Sequence, residues 1–335
     1  MGALNDLTSS SLPAGVIADA FARAIAVAAD YAGATSPNPP VGCVLLDAVG
    51  NSLAVEAHRK AGDLHAEARA IAACNAAGTI DRIHTVVVTL EPCNHHGRTP
   101  PCAEAILATP AREVWIAETD PNPRVDGGGA ARLAAAGLSV RFLSEFDHPD
   151  ASRLAADTER LIAPFVKWVT TGLPFVTVKQ ALDDTGSMIP PVGHRTFTSE
   201  TSLTLAHRMR RRADAILTGS GTILADNPEF TVRRLPDHPD KRRILAILDR
   251  GSRVPADYLT EAARRGLRPI LFSDIGEALT RLGTESVHEV LVEAGPILTS
   301  AILATDIWDE HVTIRKIGDG TPDRVTVSRN HNKKG

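Results

Sequence analysis

His65, Cys93 and Cys102 lie far apart in the chain, yet each sits in a setting that suits a divalent metal ion, so the fold has to bring them together. His65-Ala66-Glu67 is followed by Glu91-Pro92-Cys93 and closed by Pro100-Pro101-Cys102. One imidazole and two thiolates leave the fourth position of a tetrahedral zinc open to water, the arrangement of a catalytic rather than a structural ion. Water on such an ion ionises near neutral pH. A carboxylate just past the histidine, too close in the chain to be a comfortable ligand, can shuttle its proton. Glu67 fits that role.

Zinc deaminases of nucleosides and nucleobases pair His-x-Glu with Pro-Cys-x-x-Cys. Here eight residues, not two, separate the cysteines. Around the motif the sequence reads as alternating elements. Apolar residues at helical spacing over 16–31, with Gly33 as a stop, predict a helix. Segments 41–46 and 86–90 read as short buried strands. An Ala-rich helix over 65–77 places His65 and Glu67 in its first turn, and Cys102 opens a helix over 102–108 behind a Pro pair. A helix N-terminus lowers thiol pKa values, which disposes Cys102 to bind as thiolate, and Cys93 falls just past a strand end. Strand, helix and strand recur over 114–117, 130–136 and 139–142, a three-layer α/β pattern.

With 335 residues the chain suits two domains of ordinary size. A formal charge of −4 provides no broad basic field for nucleic acid, and aromatics at 4% provide no stacking surface. The one dense basic run, Arg208 to Arg212, lies on a predicted helix and reads as a solvated face, with a phosphate contact as the alternative. Four cysteines, two of them claimed by the zinc motif, make no disulfide framework, so a reducing cytoplasm is the expected compartment. Cys43 and Cys74 read as small core hydrophobes. The stretch Met1 to Pro13 has no signal-peptide pattern, and no apolar run approaches the roughly 18 residues of a membrane span.

Thr89-Leu-Glu-Pro-Cys-Asn-His-His-Gly-Arg-Thr-Pro-Pro-Cys102 resembles, nearly residue for residue, the zinc segment of the bifunctional riboflavin-biosynthesis deaminase/reductases. The resemblance covers most of 15–142 and, more loosely, 170–311. It implies a cytidine-deaminase-like three-layer α/β/α domain over 1–147, a connection over 148–170, and a dihydrofolate-reductase-like α/β domain over 171–335. It also implies zinc, NADPH, a phosphorylated pyrimidine substrate (a 2,5-diamino-6-(phosphoribosylamino)pyrimidinone) and a homo-oligomer formed through the second domain. By the same resemblance Asn38, His58, His95, Arg98, Asp120 and Asn122 line the pyrimidine and ribose-phosphate pocket. Lys179, Thr222, Asp226, Arg233 and Glu293 become the reductase contacts to cofactor or substrate. Asn94 stands where the family usually has Ser.

The second domain departs from the family pattern at four places. Lys179-Gln-Ala-Leu-Asp-Asp-Thr-Gly186 replaces Lys-x-Ala-x-Ser-Leu-Asp-Gly, and His194-Arg-Thr-Phe-Thr-Ser199 replaces Ser-Lys-Trp-Ile-Thr-Ser. An Arg usually found among the next residues is absent from Ser202 to Leu205. After Asp309-Glu310 the usual apolar strand gives way to Ile314-Arg-Lys-Ile-Gly and a polar tail. These losses predict NADPH binding with impaired reduction, because hydride transfer needs the sugar held in near-attack geometry. The alternative is a deaminase of a related pyrimidine in a branch pathway, its second domain a non-catalytic scaffold. A non-catalytic zinc-stabilised protein is disfavoured, since structural zinc needs neither Glu67 nor an open position.

Overall fold

The computed structural model describes residues 12–94, 100–122, 128–191, 193–194, 196–318 and 321–330. The chain divides into two compact units, 1–163 and 164–335.

The first unit is built on a five-stranded sheet of order β2-β1-β3-β4-β5: β1 (Gly42–Leu46), β2 (Ser52–Ala57), β3 (Thr85–Leu90), β4 (Glu113–Glu118) and β5 (Ser139–Phe142). β1 runs antiparallel to β2 and β3, whereas β3, β4 and β5 are parallel. β1 and β3 are buried along their whole length, so alternate residues feed two cores rather than one core and solvent. Val44, Leu46 and Val87 face α1 (Ala14–Ala29) through Ile17, Phe21 and Ala24. Cys43, Leu45, Val86 and Val88 face α2 (Ala66–Ala76), α3 (Cys102–Leu107) and α4 (Gly129–Ala135). The result is the expected three layers. Gly42 permits the tight seating of α1, because a β-carbon there would lie 2.0 Å from the Ala24 carbonyl oxygen. Strand β2 had no counterpart in the sequence reading. Its residues are mostly half-buried, and the weak alternation of Ser-Leu-Ala-Val-Glu-Ala carries little strand signal.

Helix α5 (Ala151–Thr171) contains the boundary between the units, which falls at Pro164, where a helix loses one backbone hydrogen bond. Leu154 belongs to the core of the first unit. Within the second unit Lys167 pairs with Asp309 at 2.5 Å and the Trp168 indole N–H donates to the Gly283 carbonyl at 2.9 Å.

The second unit carries a seven-stranded sheet of order β12-β11-β6-β10-β7-β8-β9. Its strands are β6 (Phe175–Leu182), β7 (Ala215–Gly219), β8 (Ile244–Leu248), β9 (Arg268–Phe272), β10 (Glu289–Val292), β11 (Glu310–Arg315) and β12 (Arg324–Arg329). All neighbours are parallel except β11 and β12. The helices are α6 (Glu200–Arg212), α7 (Ser220–Asp226), α8 (Ala256–Arg264), α9 (Ile275–Thr284) and α10 (Pro296–Leu303). The segment read from sequence as a polar tail is a strand. β12 pairs with β11 over six residues, a backbone ladder that needs no apolar pattern. The basic run is also corrected: Arg208 is exposed, but Arg210 and Arg212 reach buried carboxylates, so the run is not a solvated face.

Candidate functional site

His65 is the N-cap of α2 in extended conformation, one residue before the helix rather than in its first turn. Cys102 is the first residue of α3, and Cys93 follows the end of β3. His65 Nδ1 lies 3.6 Å from Cys93 Sγ and 3.4 Å from Cys102 Sγ, and all three donor atoms fall within 4.8 Å of one another. Two ligands of a tetrahedral zinc, one nitrogen and one sulfur at about 2.0 and 2.3 Å from the ion, stand about 3.5 Å apart. The donor set therefore fits zinc in both type and spacing.

The Cys102 backbone N–H donates to Cys93 Sγ at 3.3 Å. A hydrogen bond from the Cys102 thiol, joined by His65, holds the Cys93 thiol down to about 4. Cys102 is pushed up by its hydrogen bond to Cys93 and by burial, because the charge forms on its partner. A coordinated ion ionises a thiol outright, so this order belongs to the metal-free pair. Glu67 is 3% exposed in the first turn of α2, and burial raises its pKa.

Beside His65 lies His58, with ring centroids 5.3 Å apart. The buried His58 donates from Nδ1 to the Leu64 carbonyl at 3.1 Å, and its Nε2 accepts from the Asn38 amide at 3.1 Å. Desolvation lowers the His58 pKa, consistent with a neutral ring in these roles. The Asn38 amide nitrogen is thereby engaged, which turns its oxygen away from His58. Asp120 Oδ1 accepts from the Asn122 backbone N–H at 2.9 Å. His95 and Arg98 lie outside the described residues.

The strand ends of the second unit gather another cluster. Register places Val178 beside Val292, so Lys179, midway along β6, and Glu293, just past the carboxyl end of β10, are neighbours 3.2 Å apart. Ligands of open α/β sheets bind at such ends. Arg210 Nε donates to the other Glu293 oxygen at 2.7 Å. Burial raises the Glu293 carboxyl, but Arg210 and Lys179 together outweigh it and hold the group at about 2. Thr222 in α7 accepts from the Gly295 N–H at 2.9 Å. Arg233 joins through its backbone, donating to His207 Nδ1 at 3.0 Å, and its guanidinium pairs with Glu229. Asp226 is the last residue of α7 and is exposed. The sequence reading missed Arg210 and His207. The spacing of three between them was the available signal, since it puts both on one face of α6.

Comparison with known proteins assigns both units. The cytidine and deoxycytidylate deaminase zinc-binding region matches residues 17–118, and the RibD C-terminal domain matches residues 175–315. The riboflavin biosynthesis protein RibD of Escherichia coli is 31% identical over 323 residues, 87% of this chain and 84% of that protein. The chain belongs to the RibD family. RibD of Bacillus amyloliquefaciens is 39% identical over 243 residues, covering 72% of this chain and 62% of that one. A solved deaminase/reductase from Thermotoga maritima, named for diaminohydroxyphosphoribosylaminopyrimidine and 5-amino-6-(5-phosphoribosylamino)uracil, aligns with a TM-score of 0.78 at 29% identity, over 92% of this chain and 90% of that one. The chain thus combines a zinc-dependent hydrolytic deaminase of cytidine-deaminase-like fold with the NADPH-dependent, dihydrofolate-reductase-like domain of RibD, in riboflavin biosynthesis. The branch-pathway alternative gains nothing from these matches, which extend over both units. Among the described residues no helix is long and apolar enough to cross a membrane.

Proposed function

We propose that the first unit removes the ring amine of a pyrimidinone bearing a ribose phosphate, and that His65, Cys93 and Cys102 hold its zinc. The observation that carries this reading is the convergence of three donor atoms beside a buried carboxylate. Held by His65, Cys93 and Cys102, zinc would supply Lewis acidity and lower the pKa of a water at its open position. Glu67 takes one proton from the attacking water and gives it to the ring nitrogen, then carries the second, from the new hydroxyl, to the amine, which leaves as ammonia. Asn38, its amide nitrogen held by His58, offers its oxygen to a donor on the pyrimidine, while Asp120 and Asn122 border the sugar side. His95 and Arg98 belong to the same pocket in this reading.

In the second unit Lys179, Thr222, Asp226, Arg233 and Glu293 hold NADPH or the sugar. Lys179 and Arg210 supply the positive charge, and Glu293 fixes their positions. An oligomer formed through this unit is part of the proposal. The edge strand β12, with Val325 and Val327 about half exposed, supports it. A cytoplasmic setting is supported by four free cysteines, two in the metal triad and two, Cys43 and Cys74, in the core.

Glu67→Gln tests the chemistry. The amide preserves shape but cannot relay a proton, so zinc content should stay at wild-type level while ammonia release from the diaminopyrimidinone ribose phosphate falls about a hundredfold or more. Ammonia release near the wild-type rate would refute the role.

A further inference from the structure

We infer that Glu91 is a positioning residue of the deaminase site, tying the strand end that leads to Cys93 to the backbone that presents Asp120 and Asn122. The inference rests on the reading that those two residues border the substrate. Glu91 follows β3 and stands two positions before Cys93. One carboxylate oxygen accepts from the backbone N–H groups of Gly128 and Ala130, each at 3.0 Å. The other accepts from the Asp120 N–H at 3.4 Å. The Glu91 backbone N–H donates in turn to the Glu118 carbonyl at 2.8 Å, at the end of β4.

Three donors from two stretches of chain therefore converge on one side chain. Two of them come from the start of α4, where helix N–H groups have no intrahelical acceptor and a negative charge is favoured. The contact is close-packed. A β-carbon on Gly129 would lie 1.8 Å from the Pro92 carbonyl oxygen, so the first turn of α4 rests directly on the residue between Glu91 and Cys93. This geometry fixes Asp120 relative to the metal ligands, and Asp120 in turn fixes Asn122. A displacement of about 1 Å in such a group is enough to weaken productive binding strongly. An ordinary helix cap would contribute to stability alone. A carboxylate that also holds Asp120 contributes to substrate affinity.

Glu91→Gln separates the two roles. The amide retains one acceptor oxygen for the first turn of α4 but turns an N–H₂ group toward the Asp120 N–H, donor against donor. We expect full zinc content, kcat within about twofold of wild type, and KM for the diaminopyrimidinone ribose phosphate raised about tenfold, the effect of losing one charge-assisted hydrogen bond. Amide exchange at Asp120 should quicken in the same variant. Asn122→Ala, measured alongside, should raise KM by itself.

Unchanged exchange at Asp120 overturns the clamp. Unchanged KM in Glu91→Gln, with KM raised in Asn122→Ala, overturns the positioning role. Loss of zinc in Glu91→Gln overturns it too, because Glu91 would then act on the metal rather than on the pocket. Quickened exchange with KM unchanged in both variants supports the clamp and refutes the pocket reading instead.

Discussion

Replacing Glu293 with Gln should destabilise the second unit by about 3 kcal/mol at neutral pH, a magnitude that two routes reach independently. The first route is linkage: a carboxyl lowered from the ordinary 4.5 to about 2 on folding contributes about 3 kcal/mol once it is ionised in both states. The second is the cost of breaking a buried ion pair by removing one partner, about 3–5 kcal/mol. Lys179 and Arg210 keep side-chain exposures of 20% and 16%, so water recovers part of their solvation and the lower end applies. The sign is set by the depressed pKa. The Glu293 contribution is complete above about 4.5 and is lost as pH falls through about 2, so the gap between wild type and variant should close over that window. In a Trp115→Phe background the remaining tryptophans, Trp168 and Trp308, both belong to the second unit, and their emission follows its unfolding. The midpoint at pH 7 should drop by about 6–12 °C. A loss under about 1 kcal/mol, or a gap that stays constant from pH 5 down to 2, would refute the argument that the two cations hold this carboxylate ionised.

Three further outcomes follow from the same geometry. Protein purified without added metal should carry one zinc per chain by elemental analysis, and Cys102→Ser should lose most of it; an active metal-free enzyme would contradict the triad. Calorimetry should detect NADPH binding to the full chain, while loss of 340 nm absorbance on adding the deaminated aminouracil ribose phosphate should run below about 1 per second, since Asp183-Asp-Thr-Gly186 replaces the family's Ser-Leu-Asp-Gly turn. Faster turnover would show that Lys179, Arg210 and Glu293 suffice to hold the sugar. Gly129→Ala should cost about 1–3 kcal/mol in the first unit, read by thermal unfolding, because its β-carbon cannot coexist with the Pro92 carbonyl in place; an unchanged midpoint would show that α4 is free to shift.

The sequence alone determined the chemistry of the first unit. His65, Glu67, Cys93 and Cys102 each carry their proposed role in residue type and neighbours, and the alternation of apolar strands with Ala-rich helices announces the three layers. Helix starts were legible to within two residues because capping and proline rules act over a few residues: the structure moved His65 from first turn to N-cap and began α1 and α4 at Ala14 and Gly129 rather than at 16 and 130. Strands β11 and β12 were passed over because charged residues dominate the segment, although Val312 and Ile314 in β11 and Val325 and Val327 in β12 alternate with the period of a strand. The basic run on α6 was misread because whether Arg210 meets water or Glu293 depends on a residue 83 positions away. Glu91 shows the same division most sharply. In the sequence it is one letter of a metal motif, and its three backbone partners, 29 to 39 positions on, exist only once β3, β4 and α4 have packed. Residue types that bind or transfer protons declare themselves locally, whereas the contacts that hold them in place are made between segments distant in the chain, and only the tertiary structure brings those segments together.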